Sequence, residues 1–424
     1  MTAATSKPHL VIIGTGMAGG RLLEELMRRS ADHFTISVFG EEPHPNYNRI
    51  MLSPLLAGEV SAEDIVLNPL DWYKEHNITL YAGERIVGID KAAKRVVGDQ
   101  GTQLEYDHLV FATGSLPARI PTPGQHLNHI YAFRTMADVD SIIHSSKSAK
   151  SAVVVGGGLL GLEAAYGLAI KGIKTTVVNR AGHVLNRQLD EAAGEMLRQA
   201  MLEKGVDTAL NADIKEFTGS DRVTGVALES GEVIAADLVI IAIGITPNTA
   251  LAHAAGLNVG RGIIVDDYLV TSDPHISGLG ECIEHRGETF GLVAPIWDQA
   301  RLLADRLVFN TQLPYLSSAV PTKLKVSGID LFSAGEVNGL PEDRIVILQD
   351  PSQRAYRKLI IRDQKLVGIV LFGDVQDGNW YFELLEQQSK VDDLLPHLMF
   401  GQAFCRQAPE HNNQPENALT GASL

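Results

Sequence analysis

Short unbroken apolar runs, each stopped by glycine, alternate with stretches of helical periodicity along residues 8–310. Twice the order is strand, glycine turn, helix: VIIGTGMAGG leads into LLEELM, and VVVGGGLLGLE leads into AAYGLAI. Runs this rich in Val and Ile predict the buried strands of an α/β protein. FTISVFGEE, from Phe34 to Glu42, predicts the second strand of the first unit. PHPNYNRIMLSPLLAGE follows as a proline-rich loop and turn. A helix near Pro69–His76, a strand at Ile78–Ala82 and a strand–turn–strand over Arg85–Val97 come next. LVFATGSLP and DLVIIAIGITPN share one grammar, an apolar strand that stops at glycine with proline shortly beyond. They mark crossings between lobes, so a second nucleotide-type domain, 116–245, is read as inserted into a first made of 1–115 and 246–314.

From Tyr315 the pattern becomes alternating. KLKVSGIDLFSAG and YRKLIIRDQKLVGIVLFGD predict an antiparallel meander with a turn at Asp363–Gln364, followed by a helical piece over Trp380–Met399. Residues 315–406 are read as a C-terminal α+β domain. Residues 407–424, polar and without period, are read as a disordered tail.

Composition narrows the class. A chain of 424 residues is too long for one core, and 45% hydrophobic with 21% charged residues is ordinary for a soluble globular protein. No apolar stretch reaches the roughly 18–20 residues of a membrane span. Leu10–Gly20 has the apolarity of a signal-peptide core but runs into the charged helix Arg21–Arg29, so a cytoplasmic protein is expected. A net charge of −15 without a basic block argues against nucleic acid. The two cysteines, Cys282 and Cys405, form no CxxC and cannot supply an iron–sulfur cluster, a zinc site or a disulfide-exchange pair, so no metal is expected. Cys282 reads as a buried structural thiol.

The glycines carry the candidate chemistry. A side chain at such positions would keep the backbone away from a pyrophosphate laid on a helix N-terminus. Gly14, Gly16 and Gly19 flank Met17 and Ala18 in the first turn; Gly156, Gly158 and Gly161 flank Leu160 in the second. Two such sites imply two nucleotides. About 20 residues beyond the first glycines, Glu41 stands where a carboxylate takes adenosine ribose hydroxyls, or it simply ends a strand in solvent. In APIWDQARLLADRL, Pro295 suits a first helical turn whose free N–H groups, those of Ile296 and Trp297, face whatever precedes the helix. Trp297 reads equally as plain core. KTTVVNRAGHVLNR places Asn179 where an acid would bind a ribose diol and repel a 2′-phosphate, with Arg180 and Arg187 as nearby cations. NADPH is therefore expected to serve at least as well as NADH, unless Arg180 is only a solvated strand-end charge.

Together the two glycine units, ATG, GITPN and TSDPHISGLGE resemble the pyridine nucleotide–disulfide oxidoreductase superfamily of flavoproteins over roughly residues 8–310. VFGEEPHPNYNRIMLSPLLAGE, GECIEHRGETFGLVAPIWDQA and TKLKVSGIDLFSAGE more narrowly resemble the flavin part of assimilatory nitrite reductases and the electron-transfer subunits of assimilatory nitrate reductases, through about residue 406. The resemblance implies two Rossmann-like domains and two cofactors, FAD with NADPH or NADH. It implies that Gly14, Gly16 and Gly19 cradle the FAD pyrophosphate, that Glu41 meets the adenosine ribose, and that Arg49 lies near the pyrophosphate and ribityl chain. Ile86 would offer backbone groups to the adenine, and Thr113, Gly114 and Gly244 sit at the crossings. Glu281, where the wider family has Asp, would contact a ribityl hydroxyl, and the helix opened by Pro295, Ile296 and Trp297 would face the N1–O2 edge of the flavin. Gly156, Gly158, Leu160 and Gly161 would hold the second pyrophosphate.

Glu163 would hydrogen-bond the nicotinamide carboxamide, or else it merely complements its helix N-terminus. Related ferredoxin reductases pair this glutamate with a lysine after Leu-Ser; here Leu52–Ser53 is followed by Pro54. No cysteine precedes Glu281, so electrons must leave the flavin for another protein, a small acceptor or oxygen. The implied function is a separate reductase subunit carrying electrons from NAD(P)H through FAD to an iron–sulfur centre on a partner, the catalytic subunit of nitrate or nitrite assimilation. Its rivals are a rubredoxin- or ferredoxin-type reductase or diaphorase, and a flavin-bound redox sensor or assembly factor.

Overall fold

A computed structural model of the chain describes residues 7–317 and 320–406; the tail expected at 407–424 lies outside the described residues. The chain divides into two compact units, one running up to Asn186 and including Gly194–Val320, the other joining Arg187–Ala193 to the residues from Pro321 on.

Two five-stranded parallel sheets build the first unit. In one, His9–Ile13 lies between Thr35–Gly40 and His108–Phe111, with Ile78–Ala82 and Ile276–Gly278 at the edges. In the other, Ser151–Val155 lies between Lys174–Val178 and Leu238–Ile241, with Val206–Ala209 and Ile130–Ala132 outermost. Past their first residues, His9 and Ser151, the central strands are wholly apolar because both their faces are covered, and Leu10, Val11 and Ile12 are wholly buried. On the first sheet the cover comes from the helices Met17–Ser30 and Val293–Phe309, tied together by Arg29 Nε on Asp305 Oδ1 at 2.7 Å. The chain completes the second sheet before returning to the first at Ile276–Gly278. It leaves and returns through one antiparallel ribbon, Ser115–Pro117 against Ile245–Pro247, where the Ala118 N–H donates to the Gly244 carbonyl at 3.0 Å.

The stretch read as loop and turn is instead partly helical: a 3-10 turn at Arg49–Met51 runs into the helix Leu52–Ala57. Pro54 is its third residue, where no intrahelical acceptor waits for an N–H, so proline is tolerated. This helix packs on Leu159–Ala169, and a Cβ on Gly167 would sit 3.4 Å from Leu56 Cγ.

The second unit is an antiparallel sheet in the order Thr322–Val326, Ile329–Gly335, Lys365–Phe372, Ala355–Arg362, Arg344–Asp350. Asp363 and Gln364, both at positive φ, make the expected hairpin turn. The expected single helical piece over Trp380–Met399 is broken: Gly378–Glu386 ends before Gln388 at φ 53°, and the turns Asp392–Leu394 and Leu395–Leu398 follow. Phe332, Leu359, Ile369, Leu371, Tyr381 and Leu385 form the core. Two cations are buried beside it, each compensated. Lys358 Nζ donates to Asp190 Oδ2 at 2.9 Å, an oxygen that also accepts from the Tyr356 hydroxyl at 2.7 Å. Arg357 donates to the Tyr381 hydroxyl and the Met399 carbonyl, both at 2.9 Å, and reaches Asp374 and Asp377.

Candidate functional site

The first glycine turn opens onto a cleft of about 1010 Å³ in the first unit. Gly14, Gly16, Met17, Ala18, Glu41, Arg49, Ile86, Thr113, Gly114, Leu160, Glu281 and Ile296 all line it. Residues from both glycine units, from the crossing strand and from the start of a long helix thus converge on one space.

The glycines divide by role. Gly14 has φ +119°, and a Cβ there would meet the Ala112 carbonyl oxygen at 2.1 Å; Gly156, at φ +115°, repeats this against Ala242 at 2.4 Å. A Cβ on Gly19 would stand 2.0 Å from the Gly14 carbonyl oxygen, and one on Gly161 2.0 Å from that of Gly156. Gly19 and Gly161 therefore seat helix on turn, and Gly19 does not line the cleft. Gly16 and Gly158 alone stay open: nothing lies within 4 Å of a Cβ on Gly158, and only Arg49 Nε, at 3.9 Å, near one on Gly16. Both are N-caps without a side-chain cap, on helices with no acid in the first turn. Uncapped N–H groups beside open space form the cradle that a pyrophosphate fits.

Arg49 is braced rather than free. Its guanidinium donates to Glu42 Oε1 at 2.6 Å and to the Arg134 carbonyl at 2.7 Å, and it lies over the Tyr47 ring. Glu42 also accepts from the Tyr47 hydroxyl at 2.7 Å, and burial pushes that hydroxyl well above its ordinary value. Glu41 stands exposed at the cleft edge. Glu281, in a 3-10 turn, is held through Oε2 by Arg134 and by the Ser115 hydroxyl, the latter at 2.6 Å. Gly114 faces this pair: its Cβ would lie 3.8 Å from the Arg134 guanidinium. Thr113 Oγ1 donates to the Asn248 carbonyl at 2.9 Å, clasping the two crossings.

Sequence reasoning missed Arg134, Glu42 and Glu84. Glu84 lines the cleft near Ile86 with one carboxylate oxygen on Thr102 and the other buried without a partner among the described residues. A lone charged residue in a short connection gives no periodic or spacing signal, and Arg134 is 147 positions from Glu281.

Other expectations shift. The long helix begins at Val293, so Pro295 is its third residue and Trp297 its fifth. By position the Trp297 N–H belongs to the helical ladder. Its ring packs on the core beneath Arg21, 5.3 Å from the guanidinium carbon, and neither Pro295 nor Trp297 lines the cleft. Cys282 is wholly buried, with Sγ 3.3 Å from the Leu279 carbonyl, and burial raises its thiol.

At the second glycine turn, Asn179 lies folded underneath. Its Oδ1 accepts from the Gly157 N–H at 3.1 Å, and Nδ2 donates to the Ala181 and His183 carbonyls at 3.2 and 2.9 Å. Arg180 has an 86% exposed side chain, with Asp213 at 4.0 Å. Arg187 belongs to the other compact unit. Gly244 is at φ +122° in open space. Glu163 falls beyond the first turn of its helix, out of reach of a dipole-complementing role. Burial raises its carboxyl above the ordinary glutamate value, with the neighbouring Ser53 hydroxyl acting in the opposite sense.

Residues 8–300 match the model of the pyridine nucleotide-disulphide oxidoreductase family, and residues 321–389 that of the rubredoxin NAD+ reductase C-terminal domain. The chain is 43% identical over 387 residues to a nitrite reductase [NAD(P)H] of Bacillus subtilis (strain 168), covering 91% of this chain and 48% of the relative. It is 40% identical to the assimilatory nitrate reductase electron transfer subunit of the same organism, covering 91% and 50%. The chain thus spans about half the length of these relatives. A solved ferredoxin reductase from Rhodopseudomonas palustris is similar over 95% of this chain and 99% of its own, with TM-score 0.84 and 29% identity.

Proposed function

This chain belongs to the pyridine nucleotide–disulphide oxidoreductase family, and on that premise we propose that it carries electrons from NAD(P)H through FAD to an iron–sulfur centre on a partner, the catalytic subunit of an assimilatory nitrate or nitrite reductase. It is an NAD(P)H-dependent flavoprotein oxidoreductase. FAD, when bound, accepts a hydride and releases electrons singly. The chain's residues supply position and charge. In this reading 1–115 with 246–314 hold FAD, 116–245 hold the nicotinamide nucleotide, and 315–406 form the third domain.

Gly16 and the open helix N-terminus would receive the FAD pyrophosphate beside Arg49, with Glu41 at the adenosine ribose and Ile86 at the adenine. Glu281, held by Arg134 and Ser115, keeps its other oxygen for a ribityl hydroxyl. The N-terminal end of the helix Val293–Phe309, with Ile296 in the cleft, favours negative charge nearby. Gly158 would receive the second pyrophosphate, and Glu163 the nicotinamide carboxamide.

One observation carries the outward direction of electron flow: the chain's only two cysteines form no CxxC and Cys282 is wholly buried, so they offer the flavin no exposed dithiol. The acceptor therefore lies outside these residues. The nitrate and nitrite relatives favour an assimilatory partner in the cytoplasm; the match of 321–389 favours rubredoxin as a second reading. Anaerobic mixing of the NADPH-reduced, FAD-loaded protein with each acceptor separates them. Rapid flavin reoxidation by an iron–sulfur-bearing nitrate or nitrite reductase subunit, and slow reoxidation by rubredoxin, is expected; the reverse order overturns the assimilatory assignment.

A further inference from the structure

Two acids stand side by side just past the strand Thr35–Gly40, and their side chains are not equivalent. Glu41 is exposed at the cleft edge, whereas both carboxylate oxygens of Glu42 are taken. Oε1 accepts from the Arg49 guanidinium at 2.6 Å and Oε2 from the Tyr47 hydroxyl at 2.7 Å. Tyr47 is 3% exposed, and its ring centre lies 5.1 Å from the guanidinium carbon. Arg49 is thereby held on one edge and one face, while the Arg134 carbonyl accepts another of its N–H groups at 2.7 Å. The Arg49 Nε has no hydrogen-bond acceptor among the described residues. It lies 3.9 Å from where a Cβ on Gly16 would stand, beside the uncapped start of the helix Met17–Ser30.

A carboxylate close to a pyrophosphate repels it, so the charge of Glu42 taken alone disfavours the ligand that this cradle fits. Its two contacts give that unfavourable charge a use. An arginine side chain has many rotamers, and immobilising one on binding costs about two- to tenfold in affinity. A guanidinium already fixed by Glu42 and Tyr47 escapes that cost. We propose that Glu42 and Tyr47 are positioning residues for FAD, holding the Nε edge of Arg49 at the Gly16 turn before the pyrophosphate arrives. In this division, which rests on the pyrophosphate lying beside Arg49, the two neighbouring acids do different work: Glu41 meets the adenosine ribose and Glu42 serves the arginine.

A double-mutant cycle on the full FAD-loaded chain tests this, with Kd read from free-flavin fluorescence on serial dilution and Tm measured beside it. Arg49→Ala is expected to weaken FAD binding about tenfold or more. Glu42→Ala is expected to weaken it about two- to tenfold when Arg49 is present. In the Arg49→Ala background the same substitution should leave Kd unchanged or tighten it, because only the repulsion is left to remove. Tyr47→Phe loses one hydroxyl and keeps the ring; it should follow the same pattern with a smaller loss, and it decides the matter should Glu42→Ala not fold. Glu42→Gln should recover part of the loss, since its amide oxygen still accepts from one partner. An equal loss from Glu42→Ala in both backgrounds shows a role in the fold alone and overturns the proposal. So does tighter FAD binding by Glu42→Ala with Arg49 in place. If Arg49→Ala itself leaves Kd unchanged, the placement of the pyrophosphate beside Arg49 falls, and the roles of Glu42 and Tyr47 fall with it.

Discussion

Arg180 and Asn179 sit side by side in sequence yet do opposite things. Asn179 spends its amide on the Gly157 N–H and two carbonyls, so it shapes the turn, while Arg180 stands in solvent with Asp213 at 4.0 Å. Selection for a 2′-phosphate should therefore rest on Arg180. Arg180→Ala is expected to weaken use of NADPH by about 1–3 kcal/mol and leave NADH nearly unchanged, read as kcat/KM for each. Equal losses would show that Arg180 does not touch the phosphate. Glu163 offers a second test. Glu163→Ala is expected to slow flavin bleaching by NAD(P)H in stopped flow without releasing FAD. Burial raises its carboxyl in the folded chain, so folding favours the protonated form. That contribution is full below the unfolded value and is lost as pH rises through the folded one. Glu163→Gln should accordingly raise Tm at neutral pH, with the gain shrinking as the pH is lowered; a gain that grows in acid contradicts the shift.

Glycines that look alike in the sequence separate once the turn is built. Gly14→Ala forces a Cβ onto the Ala112 carbonyl at a φ that alanine resists, and is expected to cost the apoprotein about 3 kcal/mol. Gly16→Ala meets no protein atom closer than Arg49 Nε, so apoprotein Tm should hold while FAD affinity falls at least tenfold. Urea unfolding and flavin titration of both variants check this; similar behaviour of the two would dissolve the distinction. The positions of the two glycine turns and of the strands and helices that flank them were legible because each has a local signature: an apolar run, glycine, then a helical period. What glycine does there was not legible, since a missing Cβ looks the same whether a ligand or the Gly14 carbonyl fills the space. Trp297 was misplaced because Leu292, an apolar N-cap, gives no polar start signal three residues before Pro295. Arg134 was invisible because its partners come from distant segments.

At the scale of the whole molecule, the described residues hold no group of three His, Cys, Asp or Glu side chains able to hold a metal, and no helix long and apolar enough to cross a membrane. The purified protein is expected to be yellow, with one FAD per chain, and dialysis against EDTA should leave NAD(P)H oxidation by an artificial acceptor unchanged. Loss of activity on chelation, restored by metal, would require a site these residues do not form. The paired ribbon at the lobe crossings has a wider consequence. Ala118 and Gly244 are far apart in sequence yet joined by one hydrogen bond. Everything between them therefore enters and leaves through a single doorway, and a homologous stretch with the same spacing at its ends could be exchanged through it. Coenzyme preference could then be inherited, or engineered, as a replaceable cartridge while the remainder of the molecule keeps its own history.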